Sequence, residues 1–303
     1  MGWRNVIIGS PAKLSLRLNH LVIRQKEEVE IPLEDISVII VENEQAVITS
    51  SLLNMLAEKD IPLFTCGKNH IPSGLLVSYQ GHSRFLKVLK GQLGQTLPFR
   101  KNCWRLVVRQ KINNQAACLE ILGKKGVSEL RAIAEDVRSG DKENRESTAA
   151  RIYFDSYMPQ TTRQEDNGVN AALNYGYSIM RGAVARSMTS YGFLCAIGIH
   201  HKNELNSFNL ADDFMETLRP VVDLWTARNI EEGQIFTIKD RTALVSLLNS
   251  PITIDYARQS IIRAIDIMSG SFSTATSSCD PDRLKLPVQM CIRDSPNRLS
   301  SAL

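Results

Sequence analysis

The stretch GIHHKNELNSFNLADDFMETLRPVVDLW, residues 198 to 225, sets two adjacent imidazoles, His200 and His201, shortly before four carboxylates, Asp212, Asp213, Glu216 and Asp223. Carboxylate oxygens hold hard divalent ions such as Mg2+ or Mn2+, and a nitrogen ligand beside them favours manganese. Drawn as one helix over 212–225, the segment gathers Phe214, Met215, Leu218, Val221, Val222 and Trp225 on one face. Asp212, Glu216 and Asp223 fall opposite, with Asp213 at their edge. An amphipathic helix with a solvated acidic face, its early aspartates favoured by the helix dipole, has the same pattern. The spacing alone leaves both readings open. The apolar run FLCAIGI before the histidines predicts a buried wall from which the imidazoles project toward the acidic side.

A further carboxylate lies upstream in DKENRESTAARIYFDSYM. Glu146, Ala149, Ala150, Tyr153 and Tyr157 share one helical face, so Glu146 lies on the side that packs. A carboxylate buried there must be paired, protonated or bound to a metal, because burying it bare is costly. The alternative is a surface pair with Arg145 or Arg151 at the rim of that face. Other metal and nucleotide signatures are absent from the sequence: no H-E-x-x-H, no His-Asp dipeptide, no repeated E-x-x-H and no G-x-x-x-x-G-K-[ST] loop. These absences argue against a zinc protease, an HD-type phosphohydrolase, a di-iron bundle and NTP hydrolysis.

The elements that must position these residues fall into two groups, an α+β arrangement. From residue 3 to about 79, short bursts such as WRNVIIGS, AKLSLRLNHLVIRQ, EEVEIPL, ISVIIVEN, IPLFTCG and GLLVSYQ alternate with turn clusters. They predict a small β-rich domain over 1–80, with one helix in ITSSLLNMLAEKD capped by Thr49 or Ser50. Residues 81–98, with three glycines and a proline, read as a linker that is partly helical. From 99 to 288 the period turns helical, with segments expected near 127–138, 142–157, 168–189, 208–228, 239–248 and 253–268, so a larger all-α domain carries the chemistry. Residues 289–303 show no period and are expected to be a disordered tail. The string MCIRDS within them resembles a translated sequencing adapter, which would make that tail an assembly artefact.

The 303 residues, 43% of them hydrophobic, suffice for a sizeable core. With 36 basic against 32 acidic residues the net charge is +4, a weak pointer toward a phosphate-bearing partner. The six cysteines show no C-x-x-C spacing and read as reduced core residues. With no signal peptide and no apolar run of about 20 residues, a cytoplasmic protein with no membrane partner is expected.

Three ordered blocks, ESTAARIYF from Glu146, DNGVNAALNYGYSIMRGAVARSM from Asp166 and GIHHKNELNSFNLADDFMETLRPVVD from Gly198, resemble the CRISPR-associated spacer-acquisition integrases, in their type II form. The likeness covers about residues 3 to 288. It implies a metal-dependent DNA endonuclease and integrase that joins the 3′-hydroxyl ends of protospacer DNA into the CRISPR repeat array by transesterification. It also implies Glu146, His201 and Glu216 as catalytic residues and ligands of Mg2+ or Mn2+, with Asp213 as a supporting acid. For His200 the resemblance leaves two roles, a DNA contact or none. By the same resemblance the β-rich domain is a dimerisation part. The homodimers are implied to dock on a small ferredoxin-like adaptation subunit across double-stranded DNA, with the type II effector and an accessory adaptation protein as further partners. One departure is Thr217, where the family usually has proline; threonine is expected to be tolerated inside the helix.

For holding DNA, Lys101, Arg105 and Arg109 recur every four residues along one helical face, and Lys124 and Lys125 follow in a loop. Arg181, Arg186 and Lys202 are candidates nearer the proposed site. A solvated basic face fits the same spacing. Two rivals to the enzyme remain at this stage: a catalytically inactive DNA-binding scaffold of the same complex, and a structural α/β protein whose acidic helix is merely solvated.

Overall fold

The computed structural model describes residues 2–68, 70–78, 82–158, 165 and 167–289. The N-terminal part holds two four-stranded sheets. The first has the order β1 (Arg4–Ile8), β5 (Ile36–Val41), β7 (Leu63–Cys66) and β8 (Pro72–Leu76), parallel except for the last pair. The second has the order β4 (Glu28–Pro32), β3 (His20–Arg24), β2 (Lys13–Arg17) and β6 (Val47–Ile48). Helix α1 (Ser50–Glu58) starts after Thr49 and buries Leu52 and Leu56, as the sequence predicts.

Strand β5 decides how the two parts of the chain meet. ISVIIV is buried at all six positions, the signature of a strand covered on both faces. Ile39 and Val41 enter a small core with Leu14, Leu21, Leu33, Leu52 and Leu56, while Val38 and Ile40 point the other way, into the large helical core with Phe64. Helix α6 (Gly168–Ser190) packs so closely here that a Cβ on Gly182 would lie 1.9 Å from Phe64 Cε1, so only glycine fits.

The helical part comprises α2 (Phe85–Leu93), α3 (Leu97–Ile121), α4 (Val127–Glu135), α5 (Arg145–Tyr157), α6, α7 (Asn209–Met215), α8 (Arg219–Asn229), α9 (Ile238–Ser246) and α10 (Ile261–Ser278). Capping residues set several starts. Thr96 accepts from the Phe99 N–H, Asn167 from Asn170, Ser260 from Arg263, and Thr237 forms a capping box with Asp240.

Three expectations change. The helix over 208–228 is broken at 216–218, because the ring of Pro220 supplies no N–H and conflicts with the carbonyl four residues back, that of Glu216. The part from 251 is not all-α: β9 (Pro251–Ile254) and β10 (Ala257–Ser260) form a hairpin whose turn residues Asp255 and Tyr256 both have positive φ, 50° and 61°. An Asp-Tyr turn lacks the glycine that usually announces such a hairpin. The linker is partly helical, as expected: it holds α2, whose buried Gln92 side chain donates to the carbonyls of Leu194 and Ile197 and accepts from the Leu194 N–H.

The start of the expected tail also belongs to the fold. Val288 pairs with Thr253 as a β-bridge, and the backbone N–H of buried Gln289 donates to Asn114 Oδ1 at 2.9 Å. Residues 290–303, including the MCIRDS string, lie outside the described residues. Among the described residues, no helix is long and apolar enough to cross a membrane. Cys103, Cys118 and Cys195 are buried and free, Cys66 is half-buried and Cys279 exposed.

Candidate active site

Helix α3 passes through the helical core with Val107, Val108, Ile112 and Leu119 buried, and Lys111 lies in that same stripe. A buried ammonium requires anions. Lys111 Nζ lies 2.6 Å from Glu146 Oε1 and 2.5 Å from Glu216 Oε2, so two carboxylates from distant parts of the sequence converge on one cation. Glu146 stands in the first turn of α5, which Asp141 caps by accepting the backbone N–H groups of Arg145 (2.8 Å) and Glu146 (3.0 Å). Its partner is Lys111, and neither Arg145 nor Arg151 fills that place: Arg145 pairs with Asp136 and Glu143.

Glu216 occupies the break between α7 and α8. On the straight helix drawn from the sequence it belonged to a solvated face; with the break it is 4% exposed and turned onto Lys111 and Arg219, whose Nε is 3.0 Å from Oε1. Burial pushes the Glu216 carboxyl up, and the Lys111 and Arg219 cations overcome this and hold it below its ordinary range. Burial pushes the Lys111 ammonium down, and Glu216 and Glu146 together hold it above its ordinary value. Both groups therefore stay charged at neutral pH. Thr217 follows in the break, buried, with its hydroxyl donating to the Phe214 carbonyl at 3.0 Å and its own carbonyl accepting from Asn114 Nδ2 at 2.7 Å.

The two histidines lie on the loop between α6 and α7, and one buried acid organises them. Asp213 accepts the backbone N–H groups of Ile199 (2.6 Å), His200 (3.1 Å) and His201 (3.0 Å), and its Oδ1 lies 2.7 Å from His201 Nδ1. A carboxylate only accepts, so this contact places the proton on Nδ1 and leaves the Nε2 lone pair of His201 open. Gly198 makes the approach possible, since a Cβ there would meet the Asp213 carboxylate at 2.6 Å and the His201 carbonyl at 2.5 Å. Asn209 holds the rest of the loop, donating to the carbonyls of Ala196, Asn203 and Asn206.

Trp104, about two helical turns before Lys111, connects the histidines to α3. The His200 ring stacks on it at 4.1 Å with an interplanar angle of 2°, and His201 meets it edge-on at 5.7 Å. His200 covers Trp104 with one ring face while remaining exposed on the other, and its partial burial lowers its pKa below the ordinary imidazole value. The hydrogen bond to Asp213 raises the pKa of His201 against the effect of burial. Glu216 adds to that upward pull on His201, and Glu146 opposes the lowering at His200. Among the described residues, no three His, Cys, Asp or Glu side chains are grouped closely enough to hold a metal ion; the Lys111 ammonium lies between the two glutamates.

The other acids of the opening segment have structural work. Asp223 is 1% exposed: its carboxylate accepts the hydroxyls of Tyr153 (2.8 Å) and Tyr177, and its backbone carbonyl that of Tyr157 (2.7 Å). It neither faces solvent nor merely tunes the helix. Asp212 pairs with Arg181 at 2.9 Å and accepts from Asn206, so that cation is engaged within the fold. Arg186 braces α6 against the N-terminal part and α10, donating to the Asp60 carbonyl (2.6 Å) and to Asp266 (3.0 Å). Its side chain is only 12% exposed, so burial and these two partners take it out of the set of cations open to phosphate. Lys101 and Arg105 are half-buried on α3, Arg109 is exposed, and Lys124, Lys125 and Lys202 are exposed. Lys124 and Lys125 follow the far end of α3, roughly 30 Å along the helix from Lys101, so these cations form two groups rather than one.

Sequence reasoning missed Lys111, Trp104, Asp141, Asn209 and Arg219. Lys111 carried a signal: a lysine four residues after Val107 on an apolar stripe demands a buried acid. The others depend on long-range contacts.

The family model for the CRISPR associated protein Cas1 matches residues 6–247. The chain is similar to the CRISPR-associated endonuclease Cas1 of Neisseria meningitidis serogroup C (strain 8013), 43% identical over 293 residues, which cover 95% of this chain and 96% of that protein. The fold is similar to a casposase bound to integration product, with TM-score 0.77 and 17% identity over 97% of this chain and 96% of that one. It is also similar to a chain of a Cas6-RT-Cas1--Cas2 complex, TM-score 0.71 and 17% identity over 93% of this chain; the present chain spans 36% of that longer one.

Proposed function

This chain belongs to the CRISPR-associated Cas1 family, and from that premise we propose that it is a metal-dependent DNA integrase of CRISPR adaptation, joining 3′-hydroxyl ends of protospacer DNA into the repeat array. The observation that carries the reading is the convergence of Glu146 and Glu216 on one cation, beside a His201 whose free Nε2 is fixed by Asp213. That donor set suits a divalent ion. Two carboxylates supply hard oxygens, and an imidazole oriented by a buried carboxylate is a recurrent nitrogen ligand. Glu146, His201 and Glu216 would hold Mg2+ or Mn2+, with Asp213 as the supporting acid.

Such an ion supplies charge neutralisation at the attacked phosphate and a lowered pKa for the incoming 3′-hydroxyl. The protein's own residues position the groups. Asp213 and Gly198 set the height and tautomer of His201, Trp104 fixes the ring plane of its neighbour, and the Pro220 break turns Glu216 inward. Transesterification exchanges one phosphodiester for another, so no nucleotide cofactor is required. Of the cations singled out from the sequence, Lys101, Arg105, Arg109, Lys124, Lys125 and Lys202 remain open to contact phosphates. A homodimer, a small adaptation subunit of the Cas2 kind and the type II partners complete the proposal; a solved relative of the same fold is a Cas1--Cas2 complex.

The test is strand transfer of a short duplex with free 3′-hydroxyls into a plasmid carrying a CRISPR repeat, with Mg2+ or Mn2+ and the small subunit. Joined product is expected from the wild type and not from Glu216→Ala. If neither joins DNA and both bind it equally, the scaffold reading replaces this one.

A further inference from the structure

Glu146 and Glu216 approach each other closely enough for one ammonium to touch both, at 2.6 and 2.5 Å. Two carboxylates so close cannot both stay ionised unless a cation lies with them. Lys111 supplies that cation, and it is a kind that can be moved: a compact charge on a flexible four-carbon stem, without the two-pronged grip that would make a guanidinium hard to displace. The site also has an open side. Glu216 is 6% exposed in its side chain, but Glu146 is 25% exposed, so an ion can reach the pair from the Glu146 side. A divalent ion placed on the same oxygens would meet the Lys111 charge at contact distance, and the two cannot be neutralised by the same carboxylates together.

We infer that Lys111 is the resident counter-ion of the Glu146–Glu216 pair and competes with the divalent ion for those two carboxylates, so that ion binding displaces its ammonium. The inference rests on the metal-site reading above and adds a consequence to it. Lys111 keeps the unloaded site intact at the cost of ion affinity, and thereby sets how much free divalent ion the protein needs. It is a positioning residue: it acts through the glutamates.

The experiment is calorimetric titration of the full chain with MnCl2, accompanied by thermal unfolding with and without the ion. Lys111→Met keeps the stem and removes the charge; Lys111→Arg keeps the charge; Glu216→Gln removes a ligand. Lys111→Met is expected to lower the unfolding temperature of the ion-free protein, to tighten Mn2+ binding by about tenfold or more, and to regain its stability when Mn2+ is added. Lys111→Arg is expected to bind Mn2+ no more tightly than the wild type. If Lys111→Met does not fold, Lys111→Gln takes its place, with the same expectation for affinity. Unchanged or weaker Mn2+ binding on loss of the charge, with the wild type still binding, overturns the inference and leaves the metal site standing. No binding to the wild type beyond that of Glu216→Gln removes the metal site, and the inference with it.

Discussion

Two buried carboxylate–cation clusters in this molecule resemble each other in composition and differ in construction. At the junction of the strand-rich and helical parts, Glu42 at the end of β5 is gripped by Arg241 of α9 through Nε (2.8 Å) and Nη2 (3.0 Å), and the Tyr175 hydroxyl of α6 donates at 3.1 Å. Both carboxylate oxygens are used, and the side chain is 1% exposed. At the candidate active site, two carboxylates share one lysine, and one of them keeps a quarter of its side-chain surface open. The first cluster is closed by a planar fork that matches its anion; the second is filled by a mobile point charge. The difference teaches how to tell a brace from a binding site: ask whether the cation could be exchanged without leaving a bare buried charge.

The sharpest way to break the comparison is to disable each cluster and read both stability and chemistry. Glu216→Gln is expected to lower the rate of DNA joining by about 10³-fold or more, with the fold retained by circular dichroism and thermal unfolding. Arg241→Met should do the reverse. It strands Glu42 in the core, costing about 3–5 kcal/mol in denaturant unfolding, while joining per folded molecule stays near the wild-type value. If Arg241→Met abolishes joining in protein shown to be folded, the two clusters are not separable.

A smaller effect is expected one step from the site. Asp213→Asn replaces the acceptor that holds the His201 tautomer, and should weaken Mn2+ binding by about 10- to 100-fold in calorimetry. Affinity equal to the wild type would remove Asp213 from the supporting role. The smallest effect belongs to the surface: replacing Lys124 and Lys125 by alanine should reduce the slope of log K against log salt for duplex DNA by about 0.9 for each phosphate these lysines neutralise, without altering Mn2+ binding. An unchanged slope would show that the loop after α3 touches no DNA.

Much of the architecture was legible because it follows from local pattern. The bursts of alternating residues gave the strands of both N-terminal sheets, and the helical periods near 168–189 and 239–248 coincide with α6 and α9. What failed depended on a single backbone constraint or on partners far away in the chain. Pro220 breaks the helix that periodicity alone draws through 212–225, and that break buries Glu216. The acidic face that looked solvated is instead divided among Lys111, the Asp213-bound loop and the tyrosines around Asp223. The hairpin at Asp255–Tyr256 lacked a glycine to announce it. Gln289 reads as tail because its binding partner, Asn114, is 175 residues away.

Residue type and spacing left open a solvated face for Glu216 and a rim position for Glu146; Glu146, Glu216 and His201 stood together only through the family resemblance, which says nothing of the lysine between the glutamates. A search for ligands looks for acids and imidazoles. In this chain the residue that reports their convergence is a cation on an apolar helix stripe, and its pairing joins α3, α5 and the α7–α8 break at one point.

The most direct measurement is a crystal structure of the protein soaked in MnCl2, with anomalous diffraction collected at the manganese edge. The account predicts a single strong anomalous peak bounded by Glu146, Glu216 and His201 Nε2, with the Lys111 ammonium withdrawn from between the carboxylates. A peak elsewhere, or Lys111 still bridging both glutamates at saturating Mn2+, would contradict it.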